Sequence, residues 1–138
     1  MNPVTPLLST LENYLQLTTS REQTITANMA NVDTPGYHTR DINFQGELHK
    51  AMNQAIGTSG SFSESISGSA DGSNGLQTAG FSPAMQEVSG LLERPDGNNV
   101  SLDREGLLLS QTQLQYQIGV QLVKHHFRGL LNAISGGN

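Results

Sequence analysis

From Leu8 the apolar side chains recur at alternating spacings of three and four: Leu8, Leu11, Leu15, then polar Thr18 and Glu22, then Ile25, Met29 and Val32. This is the repeat of an amphipathic helix with a heptad-like stripe. Leu7 and Tyr14 widen the stripe at its start, and Thr18 with Glu22 weakens its middle. Thr5 before Pro6 reads as an N-cap with proline at the first helical position. Pro35 disfavours the α region for Thr34, so the pattern predicts a helix ending near Asp33, roughly 40 Å long at 1.5 Å per residue. Thr18, Thr19, Thr24 and Thr26 are poor helix formers, which makes this element dependent on a packing partner.

A second, longer helical pattern fills the C-terminal end. Leu109, Thr112, Tyr116, Val120, Val123, Phe127, Leu130 and Ile134 form one stripe, and Leu107, Leu114, Ile118 and Leu122 form another beside it. Ser101 reads as its N-cap, Gly136 and Gly137 as its end. Asp103 and Glu105 near the start and Lys124, His125, His126 and Arg128 further along match the polarity of the helix dipole. Two stripes point to two packing surfaces, one for the N-terminal helix and one for neighbouring molecules. A private core within one helical hairpin is the competing reading.

Between the helices the pattern breaks. Thr34-Pro35-Gly36-Tyr37 predicts a type II turn, with Gly36 supplying the positive φ. Tyr37 to Phe44 alternates loosely, as a short extended segment, and Glu47 to Ile56 fits a short helix. From Gly57 to Ser82, six glycines and eight serines in 26 residues predict a flexible linker. Met85 to Leu92 is a candidate strand. Pro95-Asp96-Gly97-Asn98-Asn99 is a turn signal that would close a small hairpin between Val88–Arg94 and Val100. The chain thus divides into an N-terminal helix (1–33), a turn and extended segment (34–56), a Gly/Ser-rich linker (57–84), an extended or hairpin segment (85–100) and a C-terminal helix (101–138). The expected class is mainly α, an antiparallel coiled-coil-like hairpin of long terminal helices.

Composition narrows function. At 138 residues with 35% hydrophobic and 5% aromatic side chains, no Trp and 15 Gly, a large core is not expected. The formal charge of -5 argues against a nucleic-acid surface, which needs a basic patch. Cysteine is absent, which removes disulfides and thiolate metal sites. No apolar run is long enough to cross a bilayer, and Met-Asn-Pro-Val-Thr-Pro has neither the basic start nor the apolar core of a cleaved signal.

Candidate chemistry is equally sparse. His125 and His126 are adjacent and point apart on a helix, whereas a helical metal site needs histidines at i, i+4. His38 and His49 have no third ligand at suitable spacing. Asp33 and Asp41 sit in turn and cap settings, and no P-loop, nucleophile-elbow or dinucleotide glycine pattern occurs. No catalytic residue, cofactor, metal or small-molecule substrate is expected. Asn28 and Asn31, at i, i+3 near a helix end, fit either fraying before the turn or amide contacts to a neighbour.

Ala27-Asn28-Met29-Ala30-Asn31 followed by Thr34-Pro35-Gly36-Tyr37 resembles the N-terminal signature of bacterial flagellar axial proteins, the rod, hook and hook-associated subunits. The stretch Tyr37 to Phe44 and the block Asp96 to Glu105, with Gln113-Leu114-Gln115-Tyr116-Gln117 behind it, is most similar to the proximal rod subunits of that family. His38-Thr39 departs from the Lys-Ala often found there. The resemblance implies a structural subunit exported without signal cleavage and assembled into the periplasmic rod of the basal body. It also implies contacts with other rod subunits, the membrane-ring adaptor protein and the export gate. On this reading Leu8, Leu11, Leu15, Ile25, Asn28, Met29 and Asn31 of the first helix form the subunit interface with Leu109, Tyr116, Val123, Phe127, Leu130 and Ile134 of the last. A helical adaptor that binds one partner without polymerising is the alternative.

Overall fold

The computed structural model describes residues 4–57 and 82–136, with side chains from 6–53 and 82–136. Most of the expected 57–84 linker therefore lies outside the described residues. The elements are α1 (Val4–Ala30), β1 (Arg40–Ile42), α2 (Phe44–Gly57), β2 (Met85–Glu87) and α3 (Leu102–Ser135). The fold is mainly α, with the long terminal helices packed antiparallel. Tyr14 Oη donates to the Gln115 carbonyl at 3.3 Å, and Asn28 reaches Glu105 at the other end of the contact.

The helices approach closely at Gly119, where an added Cβ would lie 2.8 Å from Leu15 Cδ2 and 2.9 Å from Tyr14 Cε1. Thr18 and Thr112 also lie in the buried face, and each returns its hydroxyl to the carbonyl four residues earlier, Tyr14 and Leu108, at 2.7 Å. A threonine so bonded packs like a small apolar residue. Of the two positions expected to be weak, Thr18 is fully buried, because small side chains and a glycine let the two helices close there, and Glu22 is half-buried.

Asn43 starts α2: its carbonyl accepts from Glu47 N at 2.9 Å and its Oδ1 from Gly46 N at 3.1 Å. The helix therefore begins at Phe44, three residues before the expected Glu47, and Phe44 meets Tyr14 edge-on at 5.5 Å. The small sheet is antiparallel, with Arg40 opposite Glu87, Asp41 opposite Gln86 and Ile42 opposite Met85. Its partners differ from the expected hairpin across Asp96-Gly97. The backbone polar groups of Met85–Glu87 pair with β1, while residues 94–99 form loops bonded to the turn that follows α1.

Two boundaries of α1 also move, while α3 keeps its expected limits, Ser101 before it and Gly136 after it. α1 begins at Val4, so Thr5 and Pro6 lie inside its first turn, and it ends at Ala30, three residues before Asp33. α3 continues to Ser135 with no basic residue in its last turn. Lys124 to Arg128 therefore stand too far from the C-terminal carbonyls to compensate the helix dipole, whose effect fades within a turn. Ser101 occupies the N-cap position without a side-chain cap bond.

Among the described residues, five apolar side chains are buried (Leu17, Ile25, Ile42, Ala51 and Val100) against nine polar or charged ones. The order of this molecule rests as much on paired polar groups as on a hydrophobic core.

Candidate assembly interface

The base of the helical hairpin is built where α1 ends. Tyr37 N donates to the Thr34 carbonyl at 3.2 Å and Gly36 has φ 71, a type II turn with Pro35 in its second position. Gly36 N also donates to the Asp96 carbonyl at 2.9 Å. Across that contact Gly97, at φ 81, is tightly packed: an added Cβ would lie 3.3 Å from Gly36 Cα. The two turns meet glycine to glycine.

Asn98, fully buried, closes the C-terminal end of α1. Its Nδ2 donates to the carbonyls of Asn31 at 2.9 Å and Thr34 at 2.8 Å, and its Oδ1 accepts from Val100 N. Carbonyls left over at a helix end need such donors. Asn99 extends the lacing, with Oδ1 accepting from Thr39 N at 2.7 Å and its carbonyl accepting from Thr39 Oγ1 at 3.2 Å.

Asn28 lies at the centre with all its hydrogen-bonding capacity used. Nδ2 donates to the Arg40 carbonyl at 2.7 Å and to Glu105 Oε2 at 2.9 Å, while Oδ1 accepts from Arg40 N at 3.1 Å and Tyr37 Oη at 3.2 Å. Glu105, fully buried, takes Arg104 Nη1 on its other oxygen at 2.6 Å. Arg104 also approaches Asp41 at 3.9 Å, and Asp41 is held by both Nε and Nη2 of Arg21 at 3.0 Å. Two cations and two anions alternate from α1 through β1 to α3, so the cluster is neutral. Buried pairs of this kind contribute little net stability over apolar packing, but losing one partner is costly, and the node therefore fixes one arrangement of its elements.

The sequence-selected residues divide between inside and outside. Ile25 and Asn28 are closed within the chain and present no surface to a neighbour in this conformation. Asn31 is half-buried; its Nδ2 donates to the Ala27 carbonyl and its Oδ1 accepts from Thr34 Oγ1. Leu8, Leu11, Leu15, Met29, Leu109, Val123 and Leu130 are half-buried along the α1–α3 seam. Tyr116, Phe127 and Ile134 are exposed, and so is the whole second stripe, Leu107, Leu114, Ile118 and Leu122, together with Leu131. Between Glu105 and Lys124 α3 carries no charged side chain at all. The exposed face therefore mixes apolar side chains with uncharged Gln and Ser, and charges are depleted as in an interface core.

Leu17, Asn98, Asn99 and Glu105 are structural determinants that the periodicity did not single out. Leu17 falls between stripe positions, Asn98 and Asn99 signalled only a turn, and Glu105 matched a helix-dipole residue. Burial of each depends on segments far away in sequence. Among the described residues no group of three His, Cys, Asp or Glu side chains could hold a metal, and no helix is long and apolar enough to cross a membrane.

The chain is a two-helix hairpin locked at its base, with exposed leucine and isoleucine side chains along an uncharged stretch of α3. It is similar over nearly its full length to proteins described as flagellar basal body rod protein FlgB. The protein of that description from Salmonella typhimurium LT2 is 34% identical over 129 residues, covering 92% of this chain and 91% of the relative. The Escherichia coli K12 protein is 30% identical over 130 residues, with 92% and 91% covered. The Bacillus subtilis 168 protein is 27% identical over 130 residues, 94% of each. No family model matches the chain. The chain belongs to the FlgB family of flagellar basal body rod proteins.

Proposed function

We propose that this chain is a structural subunit of the proximal rod that self-assembles through its terminal helices into the axial drive shaft. It works in the periplasm after export without signal cleavage, next to other rod subunits, the membrane-ring adaptor protein and the export gate. The observation that carries this reading is the exposed second stripe of α3, with Leu107 71% and Ile118 48% accessible on a helix whose opposite side is packed on α1. A long apolar face left open beside a closed base suits repeated helix packing between subunits, since torque must pass through many equivalent contacts.

The test is Leu114→Asp combined with Ile118→Asp in cells that make flagella. Both positions are exposed in the single chain, so folding should be unchanged to within about 0.5 kcal/mol. Synthesis should be normal, while the chain is missing from purified basal bodies and the cells do not swim. Basal bodies containing a full complement of the double variant would overturn the proposal.

A further inference from the structure

The loop before the Asp96-Gly97 turn holds a leucine in an unusual place. Leu91 is half-buried and Leu92, beside it, is 94% exposed. The loop is nevertheless tied down. Gly90 takes φ 80, Arg94 N donates to the Asn98 carbonyl at 2.8 Å, and Arg94 Nη1 donates to the Val32 carbonyl at 3.1 Å. Leu92 is therefore an apolar knob on a fixed base, with the exposed carboxylate of Glu93 next to it.

Far along α3 lies a shallow hollow of complementary character, about 450 Å³, lined by Ile118, Gln121, Leu122, Lys124, His125 and Arg128. Ile118 and Leu122 give it apolar side chains, and Lys124 and Arg128 give it basic ones. Among the described residues neither Lys124 nor Arg128 makes an ion pair, and neither does Glu93. Lys124 and Arg128 make this patch positive on a chain of net charge -5.

We propose that Leu92 and Glu93 of one copy seat in the α3 hollow of a second copy, the leucine against Ile118 and Leu122 and the carboxylate against Lys124 and Arg128. This deepens the rod-subunit reading and rests on it: Ile118 and Leu122, at the distal end of the second stripe, take the loop, and Leu107 and Leu114 are left for helix packing. The contact is between molecules. Leu92 belongs to the base, near Val32 and the start of α3, whereas the hollow begins 16 residues beyond Leu102, about 24 Å away at the helical rise, and extends further. Knob and hollow are different surfaces, so each bound copy still offers one of each and further copies add, into a ring or an open helix according to the rotation between them. One leucine and one carboxylate bury far less than the roughly 1,000 Å² of a stable pair interface, so the single contact is weak and gains strength by repetition. The opposite charges add to encounter rate and orientation.

Because the chain has no cysteine, paired cysteines report the contact directly. Full-length Leu92→Cys and Leu122→Cys chains, differently tagged and mixed under mild oxidation, should form the mixed dimer about tenfold faster than Leu92→Cys mixed with Leu7→Cys, an exposed position on the other helix. Equal rates would overturn the proposal. The chain carrying both Leu92→Cys and Leu122→Cys should give a ladder of dimers, trimers and longer species, and a product stopping at the dimer would overturn propagation. Glu93→Lys should slow cross-linking, and Lys124→Glu with Arg128→Glu in the partner should restore it; indifference to these charges would overturn the charge pairing. Incorporation into basal bodies is scored separately. A chain present there but never cross-linked through these positions overturns this contact and leaves the rod reading standing. A chain cross-linked in solution yet absent from basal bodies supports the contact and overturns the rod reading.

Discussion

The two ends of the helical hairpin solve opposite problems with the same pair of helices. At the base, α1 and α3 are held by groups that leave almost nothing unpaired: Asn28 makes four hydrogen bonds, Asn98 caps the end of α1, and Arg21, Asp41, Arg104 and Glu105 alternate in charge. At the far end the contact is apolar and open, with Phe127, Leu131 and Ile134 on the surface. A polar node is directional, so it fixes one geometry even without a large core; an apolar face is non-directional and accepts a partner of suitable shape. The base therefore fixes how α1 and α3 sit, and the distal half of α3 leaves its apolar side chains exposed.

Substituting one apolar residue at each end breaks this comparison most sharply. Ile25→Asp would bury an unpaired charge at the base and should cost about 4 kcal/mol or more in urea unfolding, whereas Phe127→Asp should leave stability within about 0.5 kcal/mol and remove only rod incorporation. Equal loss of stability in the two variants would show that the far end is as closed as the base.

Asn28→Ala comes next. It strands Arg40 N–H and leaves Glu105 with one partner fewer, an effect of about 3 kcal/mol by the cost of unsatisfied buried groups, read by the same unfolding midpoint. A change below about 1 kcal/mol would mean that the node is ornamental to stability.

The join between the two regions is sharpened by Gly119→Ile, which drives a side chain into Leu15 and Tyr14. Overpacking there should cost about 2 kcal/mol and, by parting the helices, increase amide exchange along α3 beyond residue 119 more than before it.

The smallest effect concerns pH. Burial raises the Tyr14 phenol above its ordinary value of 10.0. The unfolded chain then releases this proton first, so the stabilisation is whole below pH about 10 and is lost as pH rises through the folded value. Unfolding curves for the wild-type chain should weaken slightly on going from about pH 9 to about pH 11, and Tyr14→Phe should lose that part of the decline.

Much of the fold was legible in the chain. Spacings of three and four mark both long helices because side chains on one helical face must share a partner. Pro35-Gly36 marks the turn because proline fixes φ at its second position and glycine permits φ 71 at its third. The second stripe of α3 was legible as an extra surface, and the structure leaves it exposed. The short sheet was legible only in part. Met85 to Leu92 looked extended, yet nothing local indicates that Met85–Glu87 pairs with Arg40–Ile42 and not across the nearby turn, since any extended backbone can supply a ladder partner.

The sequence by itself determined the helices, the glycine turn and the family signature, because each depends on residues within a few positions of one another. Tertiary structure alone decided which polar residues go inside. Asn28 and Glu105 are 77 residues apart, and neither can be buried until the other satisfies it. The Asn28 to Tyr37 stretch is for that reason both the most readable part of the chain and the part whose role depended most on the fold: its pattern is local, but its partners are Arg40, Asn98 and Glu105.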